Sequence, residues 1–198
     1  MPLPLTTLVA LDTVTEKPAA GFPWVTIPVM TIRRGTAADA ATLAALARDT
    51  FFDTFASTND PADMALHLQR AYGVEQQTAE LTDPGMITLL VEEGDQAVAY
   101  AQLRTGDEPA CITGPRPMEL WRFYVGRDWH GQGVAQALMD RVVAEAGRAG
   151  AQTLWLGVWE RNPRARAFYG KCGFADVGEH VFLFGTDPQT DRVMTRPL

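Results

Sequence analysis

An apolar strand, a glycine-rich loop and a helix follow one another between Leu120 and Ala149, and that order can hold a diphosphate. Phe123, Tyr124 and Val125 close the strand, Gly131 and Gly133 bracket Gln132, and an amphipathic stretch runs from Val134 to Ala149. Glycine accepts close backbone approach and positive φ, so successive N–H groups can converge on one anion. A helix start adds unpaired N–H groups and the positive end of its dipole. Two nucleotide motifs fail on spacing. The run Gly131-Gln132-Gly133-Val134-Ala135-Gln136 lacks the third glycine of a dinucleotide fingerprint, and no Lys-Ser or Lys-Thr follows as a P-loop requires.

The elements that must position this loop are legible on both sides of it. Thr153–Trp159 (TLWLGVW) is apolar on both faces, as a strand inside a sheet is. Asn162 is a good N-cap, Pro163 a favoured first helical residue and Gly173 a natural stop, so a short helix carries Phe168 and Tyr169 near its end. Upstream, Thr36–Asp39 reads as a capping box opening a helix through about Thr50, and Asp60-Pro61 starts another that ends near Gly73. Val74–Leu81 is a third helical segment. Met86–Glu93 and Gln96–Arg104 form a hairpin through Gly94-Asp95, and Met118–Val125 is the central strand. Phe174–Val177, His180–Phe184 and Arg192–Thr195 supply further strands, with Gly185–Asp191 as a turn-rich connection.

Strand, glycine loop, helix and strand, then N-x-x-A-x-x-F-Y-x-K-x-G-F from Asn162 to Phe174, resemble the GCN5-related N-acetyltransferase (GNAT) superfamily. In that family the loop reads [Gln/Arg]-x-x-Gly-x-[Gly/Ala] and holds the pyrophosphate of acetyl-CoA. Here it reads His130-Gly131-Gln132-Gly133-Val134-Ala135, so Gly133 and Ala135 match and His130 stands where Gln or Arg is usual. The tail from Leu156 and the segment Asp49–Asn59 (DTFFDTFASTN) are similar to the bacterial PaiA-type spermidine/spermine acetyltransferases.

The resemblance implies an α/β GNAT fold: a mixed, mostly antiparallel sheet splayed between Met118–Val125 and Thr153–Trp159, flanked by helices. Acetyl-CoA is the implied co-substrate, its pantetheine pairing with main-chain groups near Phe123 and Val125 like a missing strand. Asn162 is expected on the pantetheine, and Lys171 on a CoA phosphate, with Arg127 and Arg166 as further phosphate candidates. The implied reaction is direct acetyl transfer to a primary amine, a polyamine or similar small cation. A protein or peptide amine, or a non-catalytic acetyl-CoA sensor, are the alternatives.

Such a transfer needs a base, because an alkylammonium has a pKa of about 10.4. Glu119, six residues before Val125 in a position that resembles the base carboxylate of histone-type family members, is the first candidate, and Glu160, acting through water, the other. The oxyanion needs a donor, the backbone N–H of Val125 or Tyr124, freed by a bulge at the strand end. Tyr169 suits protonation of the departing thiolate. Phe52 and Phe55 are candidates to line a slot for the acceptor's aliphatic chain.

The bulk numbers agree with one enzyme domain. At 198 residues and 46% hydrophobic content the chain has ample core, and no linker divides residues 30–198. Net charge of −7 disfavours nucleic acid and anionic membranes and suits a cationic acceptor. No run is long enough to span a bilayer. Cys111 and Cys172 form no disulfide framework, and His67, His130 and His180 have no ligand spacing, so no metal is expected. Residues 1–29 hold five of the thirteen prolines and no periodicity, and read as a dispensable N-terminal extension without a secretory signal. A cytoplasmic protein is expected, and family analogy adds a homodimer.

Overall fold

A computed structural model describes residues 30–106, 108–184 and 186–198. The extension expected at residues 1–29, and Gly185 in the expected C-terminal connection, lie outside the described residues.

Seven strands form one sheet in the order β1-β2-β3-β4-β5-β7-β6. They are β1 (Met30–Arg34), β2 (Met86–Glu93), β3 (Gln96–Arg104), β4 (Pro117–Val125), β5 (Thr153–Trp159), β6 (Ala175–Phe184) and β7 (Asp187–Pro197). Every neighbouring pair is antiparallel except β4 and β5. The helices are α1 (Ala40–Phe55), α2 (Pro61–Ala71), α3 (Val74–Thr82), α4 (Val134–Arg148) and α5 (Pro163–Lys171).

Each face of the sheet builds its own core. Along α4 the buried positions Val134, Leu138, Val142 and Ala146 recur every four residues, the spacing of one helical face, and pack with Leu154 and Leu156. Tyr169 of α5 joins this core. On the opposite face Leu43, Ala47 and Phe51 of α1, also four apart, pack with Met64, Tyr72, Leu90 and Tyr100. The donor-loop helix and the inserted helices thus lie on opposite sides of the sheet.

The expected helix at Thr36 begins as a short 3-10 turn, Ala37–Asp39, before α1 continues to Phe55. Asp39 accepts from the Thr36 backbone N–H (2.7 Å), as a capping box should, and Arg33 grips the same carboxylate at 2.7 Å. The C-terminal region differs from its expectation. One long β6, bulged between Asp176 and Gly178, replaces two short strands, and β7 starts at Asp187 rather than Arg192. Polar residues at Asp187–Asp191 imitate a loop, but they pair along β6 at the sheet's edge, where one side meets solvent.

Candidate active site

β4 and β5 pair over only three residues, Pro117–Glu119 against Thr153–Trp155. Beyond Glu119 the two strands part, and β5 continues along β7 as far as Trp159 opposite Asp191. A cleft of about 950 Å³ occupies the gap and reaches both faces of the sheet.

Backbone direction along β4 decides which groups enter this gap. The Gly126 N–H donates to the Val98 carbonyl at 2.8 Å. Because backbone groups alternate along an antiparallel strand, Tyr124 also points its N–H toward β3, while Phe123 and Val125 point theirs away, into the gap. This corrects two expectations. Tyr124 N–H is committed to the sheet, and the bulge lies at Trp121, in mid-strand, where Gln102 pairs with Arg122 and Leu103 with Leu120. Val125 gains its freedom from the splay instead.

The loop after β4 carries the expected anion geometry. Gly131 and Gly133 have φ of +79° and +83°, a region that favours glycine, and Gly133 is the N-cap of α4. No side chain caps α4, in contrast to α2, where Asp60 accepts from the N–H groups of Ala62 and Asp63. The first N–H groups of α4 therefore remain for a ligand, and Gly131, Gly133, Ala135 and Gln136 line the cleft. His130 also lines it, with Nε2 2.9 Å from the Val125 carbonyl oxygen. Gln132 is exposed and donates to the Asp128 carbonyl, and Val134 is buried in the core, so these two serve the loop rather than its surface.

Opposite the loop, α5 begins at Asn162, whose Oδ1 accepts from the Ala165 N–H at 3.0 Å. Asn162 and Tyr169 both line the cleft. Tyr169 packs among Phe123, Phe168 and Phe174, and burial holds its hydroxyl protonated well above the usual phenol range. Lys171 is exposed at the end of α5 and lies outside the cleft lining, as does Arg166; Arg127, Arg161 and Arg164 supply its basic rim.

The other mouth of the cleft opens under α1 and α2. Phe51 and Phe55 line it, with His67, Tyr72, Tyr124, Trp159, Phe182 and Phe184. Phe52 points to solvent, 52% exposed, because it sits one residue off the α1 stripe that Phe51 and Phe55 share. Glu160 is exposed and outside the lining. Glu119 is buried at the floor, where its Oε2 accepts from Arg104 Nε at 2.5 Å. Beneath Tyr124 the buried Arg122 donates to Glu80 (2.6 Å) and Gln102 (2.7 Å) and stacks on Trp121 and Tyr72. Neither that network nor His180 and Asp191, which also line this mouth, carries a local sequence signal.

A scan against family models matches residues 43–174 to the acetyltransferase (GNAT) family. The chain belongs to the GNAT family. An uncharacterised N-acetyltransferase of Mycobacterium tuberculosis is 36% identical over 160 residues, covering 81% of this chain and 98% of the relative. One from Lactobacillus delbrueckii subsp. lactis is 32% identical over 155 residues, covering 78% and 89%. Among solved structures, the PaiA N-acetyltransferase of Thermoplasma acidophilum in complex with coenzyme A shares the fold. Its TM-score is 0.72 at 18% identity, over 86% of this chain and 99% of that one. This GNAT enzyme is accordingly an acetyl-CoA-dependent N-acetyltransferase. The uncapped α4 start, the positive-φ glycines and the unpaired edge of β4 fit that co-substrate. Among the described residues no helix is long and apolar enough to cross a membrane.

Proposed function

We propose that this GNAT enzyme acetylates a small cationic primary amine, with a polyamine as the favoured class. The observation that carries this reading is the roof over the acceptor mouth. The β6/β7 hairpin closes on α2 and the loop before it: Thr186 N–H donates to Asp63 Oδ1 at 2.8 Å, and Gln189 Nε2 donates to Asn59 Oδ1 at 2.6 Å. Phe182 and Phe184 reach His67 of α2 under that roof. A mouth roofed on one side in this way suits a slender chain better than a protein segment, which lies in an open groove. Its aromatic walls suit methylene groups and attract ammonium, and Asp53, Glu119 and Asp191 add negative charge.

Acetyl-CoA supplies an activated acyl group as a thioester. For the reaction, the α4 N–H groups hold its phosphates, and Phe123 and Val125 pair with its pantetheine through their main chains. Val125 N–H stabilises negative charge building on the acyl oxygen, and Tyr169 gives its hydroxyl proton to sulfur. Direct transfer is favoured, because Cys172 lies beyond α5 with its thiol pushed up by burial, a poor nucleophile.

The test is turnover of acetyl-CoA with spermidine, spermine, lysine peptides and aminoglycosides, read as free thiol and acetylated product mass. Turnover favouring the polyamines supports the assignment, and a preference for peptides overturns it.

A further inference from the structure

A second pair of titratable side chains meets on the acceptor side of the sheet, away from every motif of the donor site. His180 of β6 and Asp191 of β7 are register partners, and Asp191 stands opposite Trp159 of β5. Paired residues share a sheet face, so His180 and Asp191 project on the side of Trp159, whose ring meets Phe55 of α1 at 6.0 Å. Both line the cleft.

The pair closes over Gly157. A Cβ at that position would stand 2.8 Å from His180 Nε2 and 3.3 Å from Asp191 Oδ2, so only glycine admits this placement unchanged. Nε2 and Oδ2 are 3.9 Å apart, too far for a direct hydrogen bond and near enough to be bridged by an ammonium. Glu119, by comparison, is already bonded to a guanidinium, and such pairing holds a carboxylate as the anion.

We propose that the His180–Asp191 pair takes the proton the acceptor amine must lose, His180 Nε2 receiving it and Asp191 holding the imidazolium. The proposal rests on the amine-acceptor reading above. The ammonium N–H bond breaks toward Nε2, and the nitrogen lone pair forms the amide C–N bond as the C–S bond breaks. Sulfur takes its proton from Tyr169, and the second nitrogen proton, acidic once the C–N bond has formed, passes through water back to the Tyr169 oxygen. His180 returns its proton to solvent, so one proton is released for each amide formed.

Asp53 of α1, His67 of α2 and Tyr72 after it, Glu119, Arg122 and Tyr124 of β4, Arg127 after it and Arg161 beyond β5 are, among the described residues, the other charged or titratable groups on this side. Burial pushes the Asp191 carboxyl up to about 6, and His180 is the charge that opposes the rise.

The experiment measures kcat and kcat/KM against pH for the wild type, His180→Gln, Asp191→Asn and Glu119→Gln, with the best amine of the panel and with acetyl-CoA affinity measured separately. His180→Gln should lower kcat about 100-fold, in the range of general-base effects, at unchanged acetyl-CoA affinity. Its acidic limb should vanish, and activity should climb as pH approaches the amine's own pKa. Glu119→Gln should keep the limb. A His180→Gln enzyme within threefold of wild-type kcat and with an intact limb overturns the proposal, as does loss of the limb in Glu119→Gln alone. Folding is controlled by acetyl-CoA binding in each variant. If the wild type turns over no amine, the acceptor reading falls first and the pair's role with it.

Discussion

His130 Nε2 stands 2.9 Å from the backbone oxygen of Val125, closing the glycine loop onto the strand that leads into it. The family's usual Gln or Arg at this position is replaced by a side chain that ties the loop rather than extending from it. His130→Ala removes one hydrogen bond worth about 1 kcal/mol, or roughly fivefold in an equilibrium. The KM for acetyl-CoA should rise by about that factor with kcat nearly unchanged. Steady-state kinetics with acetyl-CoA varied checks this, and an equal fall in kcat would count against a loop-holding role.

Gly133→Ala tests backbone conformation without steric conflict. A Cβ there meets nothing within 4 Å, yet φ is +83°. An L side chain in that region costs about 1–2 kcal/mol. The variant should melt a few degrees lower and bind acetyl-CoA more weakly, as calorimetry and titration would read. An unchanged melting temperature would mean that the loop relaxes without cost.

Tyr169→Phe should cut kcat about 100-fold and leave acetyl-CoA affinity intact. Among the described residues no side chain or main-chain group bonds the Tyr169 hydroxyl, so its deletion should cost little stability. Parallel assays of turnover, coenzyme A titration and thermal melting separate a proton donor from a packing residue.

Asp191→Asn should stabilise the fold at neutral pH. The folded carboxyl titrates at about 6 against an ordinary 3.8, so the native state favours the protonated form. Below pH 3.8 both states are protonated and nothing is lost. Stability then falls as pH rises through the folded value, by roughly 2–3 kcal/mol in full. The gain from Asp191→Asn should therefore be near zero at pH 3.5 and reach its maximum above pH 6.5. Urea unfolding at both pH values reads the difference.

Glu80→Gln leaves the buried Arg122 without its carboxylate partner. Removing one member of a buried pair costs about 3–5 kcal/mol, less whatever the amide recovers by bonding. Because Arg122 lies beneath Tyr124 and stacks on Tyr72, the acceptor's KM should rise more than that of acetyl-CoA. Equal changes in the two would argue that the network supports the whole domain alike.

The donor half of the site was legible because its determinants are local. Gly131, Gly133, Asn162 and Pro163 act through backbone torsion and capping within a few residues of themselves. The strand β5 announces itself by apolar residues on both faces, and β2 and β3 by the Gly94-Asp95 turn between them. The acceptor half depends on register between distant segments. His180 meets Asp191 only because β6 and β7 pair as they do, and Arg122 meets Glu80 across 42 residues. Phe52 stands beside the acceptor-lining positions in sequence, but one step around the helix sends it to solvent. Lys171 and Glu160 matched their elements, but α5 and the end of β5 turn them away from the cleft.

Three residue pairs make up the backbone ladder between β4 and β5, so the sheet divides into two half-sheets beyond Pro117–Glu119. On the placement proposed above, acetyl-CoA laid along Phe123 and Val125 and gripped by α5 would bridge the halves beyond Glu119. The donor would then complete the architecture as well as react in it. By mass action each tenfold rise in donor above its dissociation constant adds about 1.4 kcal/mol to the folded state. On that placement, resistance to unfolding and to proteolysis of the opened form should rise with the supply of acetyl-CoA or of coenzyme A itself.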